Sequence, residues 1–200
     1  MTVGRSFSPA ARRGPGRVPD VRSGHGAPLA LVTSTQVIDT VLDRYSDALG
    51  TGASLYRNHV YRGLNYQLQI LDTGPTDLVA LAWAVHDLGL WTEHTLDYLP
   101  PSLRLAKDLA EEFHVGDVEG LERMIQFHHG VRRVADPLAE SFRVADRTDV
   151  WGRWRGPIRA QDIDATSDRF PDCGFHRFLQ KSLVAYALRH PLRPFPMLRW

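Results

Sequence analysis

The chain has 200 residues, of which 43% are hydrophobic and 24% charged, with 24 basic and 23 acidic side chains. A chain of that length buries a core without disulfides, and its composition excludes a wholly disordered or collagen-like protein. The net charge of +1 supplies no general field for gripping nucleic acid or an anionic membrane, and the single cysteine, Cys173, excludes an intrachain disulfide and a cysteine zinc knuckle and points to a reducing, cytoplasmic setting.

Residues 1–26 hold Arg5, Arg12, Arg13, Arg17 and Arg22 against Asp20, scattered among Gly and Pro, and are expected to form a solvated tail that ends by about residue 30. Without those six side chains, 19 basic and 22 acidic residues remain, a net charge of −3. From residue 34 onward the apolar spacing is helical and strict alternation is rare, so the domain over 34–190 reads as all-α. Ser34 or Thr35 caps a helix through Ala48, ended by Gly50 and Gly52, and a second runs from Ser54 to Leu71 with Tyr56, Val60, Leu64 and Leu68 on one stripe. A helix from Asp77 carries Leu78 to Val85 without a polar residue, which marks a helix buried at the centre of a bundle; at eight residues that run is far short of the ~20 needed to cross a bilayer.

Gly89 to Tyr98 reads as a loop, followed by helices over Ser102–Phe113 and Val118–His129, the latter stopped by Gly130. Asp136-Pro137 is an N-cap and first-turn pair for a helix to about Val150. The Trp151–Pro157 stretch breaks the pattern, a last helix spans Phe175 to Arg189, and the Pro-rich segment 191–200 is expected to pack on the domain. No Gly-rich phosphate loop or nucleophile elbow is present, and the five tryptophans are too scattered to form a base-stacking platform.

The chemical anomaly is His86-Asp87 at the end of an apolar helix, because a buried carboxylate costs several kcal/mol unless a cation or hydrogen-bond donors face it. His59 lies mid-helix beside an apolar stripe, and Asp146 shares a helical face with Phe142 and Ala139. Three helices can therefore direct His59, His86, Asp87 and Asp146 to one centre. Two carboxylates and two imidazoles suit a divalent metal ion, with Mn, Fe, Zn, Ni, Co and Mg not distinguished, and leave positions for water. His94, in the 89–98 loop, is a candidate proton shuttle alongside Asp87 or an ordinary surface histidine. Arg132 and Arg147 are candidate phosphate contacts on either side of the last ligand.

This ordered set, His59, then His86-Asp87-Leu88-Gly89, then Met124 to His129, then Arg143-Val-Ala-Asp146, resembles the HD-domain metalloenzyme superfamily over about residues 36 to 152. The resemblance implies an HD-domain helical bundle with a metal site at its centre, held by His59, His86, Asp87 and Asp146. It implies hydrolysis of a small phosphorylated molecule, such as a nucleotide or related phosphate ester, by metal-activated water. Dinuclear members add a second metal, for which His114, His128 and His129 are the candidates here. Asn58-His59 with Arg62 one turn on resembles the cyanamide-hydratase branch, so a hydratase or a di-iron oxygenase stands as the alternative, with a non-catalytic ligand-binding member behind it. The expected partner is a small-molecule substrate, with a homo-oligomer open and neither nucleic acid nor membrane expected.

Overall fold

Local signals start and stop the helices. Thr35 Oγ1 accepts from Ile38 N (3.2 Å) to open α1 (Gln36–Arg44), and Thr76 Oγ1 accepts from Val79 N (3.3 Å) to open α4 (Asp77–Val85). Asp117 and Asp136 carboxylates do the same at 2.8 Å for α7 (Val118–Phe127) and α8 (Pro137–Trp151). Each side-chain oxygen satisfies an N–H that the first helical turn leaves without a backbone partner. The remaining helices are α2 (Ser46–Leu49), α3 (Ala53–Leu71), α5 (Leu88–Thr92), α6 (Leu99–Glu112), α9 (Ala160–Arg169) and α10 (Phe175–Arg189), with a 3-10 turn over Gly50–Gly52. This computed structural model describes residues 30–152, 156–194 and 196–197, and among them there is no β-strand, so the domain is all-α. The N-terminal tail lies outside the described residues, as do positions 195 and 198–200 of the C-terminal segment.

Four elements differ from the sequence pattern. The first helix breaks at Tyr45 into α1 and α2. The stretch read as a loop from Gly89 begins as the short helix α5, while α9 occupies a region without a clear apolar stripe, its ten residues burying only Asp162 and Thr166. Pro100 and Pro101 lie inside the first turn of α6 rather than before it, where a missing N–H costs nothing.

The core is built around α3 and α4. Helix α4 is buried from Val79 to Val85. Helix α3 is buried without interruption from His59 to Leu68, including the polar side chains Arg62, Asn65 and Gln67. Trp83 fixes their contact: its ring stacks on Phe142 of α8 at 4.1 Å and its Nε1 donates to Gln67 Oε1 at 2.7 Å. A Cβ at Gly63 would lie 2.1 Å from that indole, so only glycine permits this approach of α3 to α4. Gln67 Nε2 in turn donates to Ser141 Oγ (3.1 Å) and to the Leu138 carbonyl (3.2 Å), tying α3 to α8. A smaller apolar cluster joins Leu90, Leu96, Tyr98, Leu99 and Met197, with Phe178, Leu183 and Tyr186 of α10 packed against it. No helix among the described residues is long and apolar enough to cross a membrane.

Candidate metal centre

Four helices deliver polar side chains to one buried point. His59 comes from α3, His86 and Asp87 from the end of α4, His128 and His129 from the turn after α7, and Asp146 from α8. His86 closes α4 because the backbone leaves the helix at Asp87 (φ −108°, ψ 0°), which turns the carboxylate back beside the imidazole. The sets His59/His86/Asp146, His86/Asp87/His128 and His128/His129/Asp146 each bring their ligand atoms within 4.8 Å of one another, and such groups could hold a metal ion.

The hydrogen bonds around the centre decide what each imidazole offers it. His86 Nδ1 lies 2.9 Å from the Trp83 carbonyl, which can only accept, so this nitrogen carries the proton. His59 Nδ1 lies 2.7 Å from Asp149 Oδ2. Burial opposes ionisation of Asp149, but contacts from His59 and Arg62 prevail and hold its carboxyl at about 2, so it too accepts. His86, kept neutral by burial, is thus left with a lone pair on Nε2, and that atom faces His59 Nε2 at 3.0 Å. Two ring nitrogens at that distance repel unless a proton or cation lies between them. Two nitrogen ligands about 2.1 Å from one ion and at right angles are about 3.0 Å apart, so the spacing fits a shared ion.

The carboxylates converge on the same space. Asp87 Oδ2 is 3.8 Å from His59 Nε2 and 3.5 Å from His86 Nε2, and Asp146 Oδ1 is 3.7 and 3.9 Å from them. His128 Nδ1 donates to the Ile125 carbonyl (2.6 Å), which turns its Nε2 toward Asp87 Oδ1 at 3.3 Å. Asp87 Oδ1, His128 Nε2 and Asp146 Oδ1 are buried without a hydrogen-bond partner. Orphaned polar atoms of this kind are costly, and a bound cation would satisfy the carboxylate oxygens among them.

Titration behaviour follows from this crowding. Burial pushes His86 down to about 3, so it stays neutral. Burial, with the negative charges of Asp87 and Asp149, raises Asp146 to about 6. Asp87 is driven well below the usual carboxylate range: burial opposes this, and the surrounding histidines prevail. His128 is raised because Asp87 outweighs the opposing effect of burial. Tyr98 is pushed well up, first by burial and then by the charges of Asp87 and Asp146, so its hydroxyl stays protonated, and it is hydrogen-bonded with His129 Nε2 at 2.5 Å. His129 is the most open of the group, with a side chain 20% exposed.

Other residues singled out by sequence fall elsewhere. His94 is exposed between α5 and α6, with left-handed backbone (φ 52°), and is not among the groups gathered at the centre. His114 is exposed just past α6, also left-handed (φ 53°), so of the three histidines considered for a second metal only His128 and His129 reach the cluster. The helix end that carries His114 points it to solvent. Arg132 is exposed in the connection before α8, and Arg147 donates from α8 to the Gly130 carbonyl at 2.7 Å.

The sequence reading did not give Asp149 or Tyr98 a role, and it used Arg62 only for a family likeness. One signal was present: Arg62 follows His59, and Asp149 follows Asp146, by three residues, so each shares a helical face with a proposed ligand. Tyr98 carried no such signal, because its approach depends on how α5 and α6 fold back. No protein-family model, curated protein or solved structure matches this chain.

Proposed function

We propose that this protein is a metal-dependent hydrolase of HD type that acts on a small phosphorylated molecule. One observation carries the reading: two buried imidazole Nε2 atoms, 3.0 Å apart, stand between two buried carboxylates with unpartnered oxygens. His59, His86, Asp87 and Asp146 would hold the ion, and the order in which they occur is the order that resembles the HD superfamily. When bound, a divalent ion lowers the pKa of water and polarises a phosphoryl oxygen. In the hydrolysis, water adds to phosphorus, the ester P–O bond breaks, and the departing oxygen takes a proton. His128 Nε2, 3.3 Å from Asp87 Oδ1 and made more basic by that carboxylate, would hold the proton taken from water. His129, the most open of the group, and Tyr98 beside it would orient the substrate through hydrogen bonds.

A second reading, hydration of a small uncharged substrate, is favoured by the engagement of nearby arginines. Arg62 is bound to Asp149, Arg143 to Glu140 and the Gly130 carbonyl, and Arg147 to the same carbonyl. The deciding experiment screens phosphate release from nucleotides and sugar phosphates with Mn, Fe, Co, Ni, Zn and Mg, beside cyanamide hydration, with Asp146→Ala as the blank. Phosphate release by the parent chain and not by the blank supports the first reading. Cyanamide hydration without phosphate release replaces it by the second.

A further inference from the structure

His59 is gripped from behind by a part of the chain outside the region that resembles HD enzymes. Asp149, which accepts from His59 Nδ1, is clamped by Arg62 through Nε (2.5 Å) and Nη2 (2.9 Å), a two-point contact that fixes the plane of the carboxylate. Arg62 is itself held by the segment after α9, donating from Nη1 to the Phe170 carbonyl at 3.0 Å and the Pro171 carbonyl at 3.2 Å. Asn58 Nδ2 donates to the same Pro171 carbonyl at 2.7 Å. Phe175, 2% exposed, then lays its ring flat on the His59 imidazole, with centroids 4.2 Å apart and planes 16° from parallel. The imidazole is thereby fixed on its Nδ1 edge and on one face, leaving Nε2 as its only free edge.

We propose that residues 170–176 form a positioning strap that, through Arg62, Asp149 and Phe175, holds His59 in the orientation and tautomer that a metal ligand needs. The inference rests on the metal-centre reading but concerns a separate matter, which part of the chain sets how tightly His59 serves it. Partners that orient a ligating histidine change metal affinity by about 10- to 100-fold when removed. The strap therefore makes the metal affinity depend on α9 and α10, which contribute none of the proposed ligands. Asp149, Arg62 and Phe175 are positioning residues: none has an atom in the gathered ligand sets.

The test compares the full chain with Asp149→Asn, Phe175→Leu and Asn58→Ala, and with Leu188→Ala as an outward-facing control. Dissociation constants for Zn(II) and Co(II) are measured by chelator competition, together with the Co(II) visible spectrum and the ring-nitrogen shifts of 15N-labelled histidine. Asp149→Asn is expected to weaken binding by about 10- to 100-fold and to change the Co(II) bands, and Phe175→Leu to weaken it severalfold with helical circular dichroism retained. Should Asp149→Asn fail to fold, the Phe175 and Asn58 variants carry the comparison. Binding within twofold of the parent and an unchanged Co(II) spectrum in the folded variants would overturn the strap. If the parent chain itself takes up neither metal, the metal reading falls. The metal-free His59 nitrogen shifts then decide the strap, upheld if Nδ1 loses its proton-bearing signature in the variants and refuted if it does not.

Discussion

Helices α3 and α10 look alike as sequence patterns and behave differently as structural elements. Eleven of the nineteen residues of α3 are buried, whereas only Phe175 of the fifteen in α10 is. Helix α3 sits between α4 and α8 and hydrogen-bonds the polar side chains Asn65, Gln67 and Arg62 that it takes inside. Helix α10 is held at a few points: Phe175 on His59, Phe178 stacked on Trp91 at 4.6 Å, and the small cluster around Met197. Its outer side leaves Val184 60% and Leu188 80% exposed. The difference teaches that an element can be peripheral to the core and still touch the chemical centre, provided one buried side chain reaches it.

Removing an aromatic from each region measures this difference. Trp83→Ala deletes a fully buried ring, its stack on Phe142 and its bond to Gln67, and is expected to cost about 3–5 kcal/mol in chemical denaturation. Phe178→Ala, on the half-buried side of α10, should cost about 1 kcal/mol, since only part of its ring leaves water. Equal losses at the two positions would show that α10 is as much a part of the core as α4.

The metal centre provides the next largest contrast. Saturating Zn(II) or Mn(II), at 100 times the dissociation constant, should stabilise the parent chain by about 2.7 kcal/mol. Asp87→Ala should abolish that gain and stoichiometric metal content, because it removes the carboxylate that faces His59, His86 and His128. Leu188→Ala should leave both metal content and stability unchanged within about 0.5 kcal/mol. Metal retained by Asp87→Ala would show that the ligands lie elsewhere.

Acidification sharpens the same comparison. A raised acid keeps its proton in the folded chain after the unfolded chain has released it, so Asp146, at about 6 against about 4 unfolded, binds a proton that a metal must displace below about pH 6. Affinity is expected to fall about tenfold at pH 5 relative to its neutral plateau, with protonation of the raised His128 acting in the same direction. His86, at about 3, remains neutral and adds nothing over that range. Titrations at pH 7, 6 and 5 check this, and an affinity independent of pH would exclude Asp146 from the ligand set.

Much of this protein was set by local sequence. Helix starts at Thr35, Thr76, Asp117 and Asp136 depend on side chains that reach backbone N–H groups three residues on, a distance the chain alone controls. The apolar run before His86-Asp87 required a buried helix, and a buried carboxylate there required company. Tertiary structure decided the rest. Whether α3 buries Arg62 or exposes it depends on Asp149, 87 residues away, and on two carbonyls of the strap. The fates of His94, His114 and Arg132 turned on where their connections pass relative to the bundle, which no helical period encodes. Burial and hydrogen bonding at a shared centre are properties of packed elements, and only the folded chain shows which of several chemically suitable side chains meet.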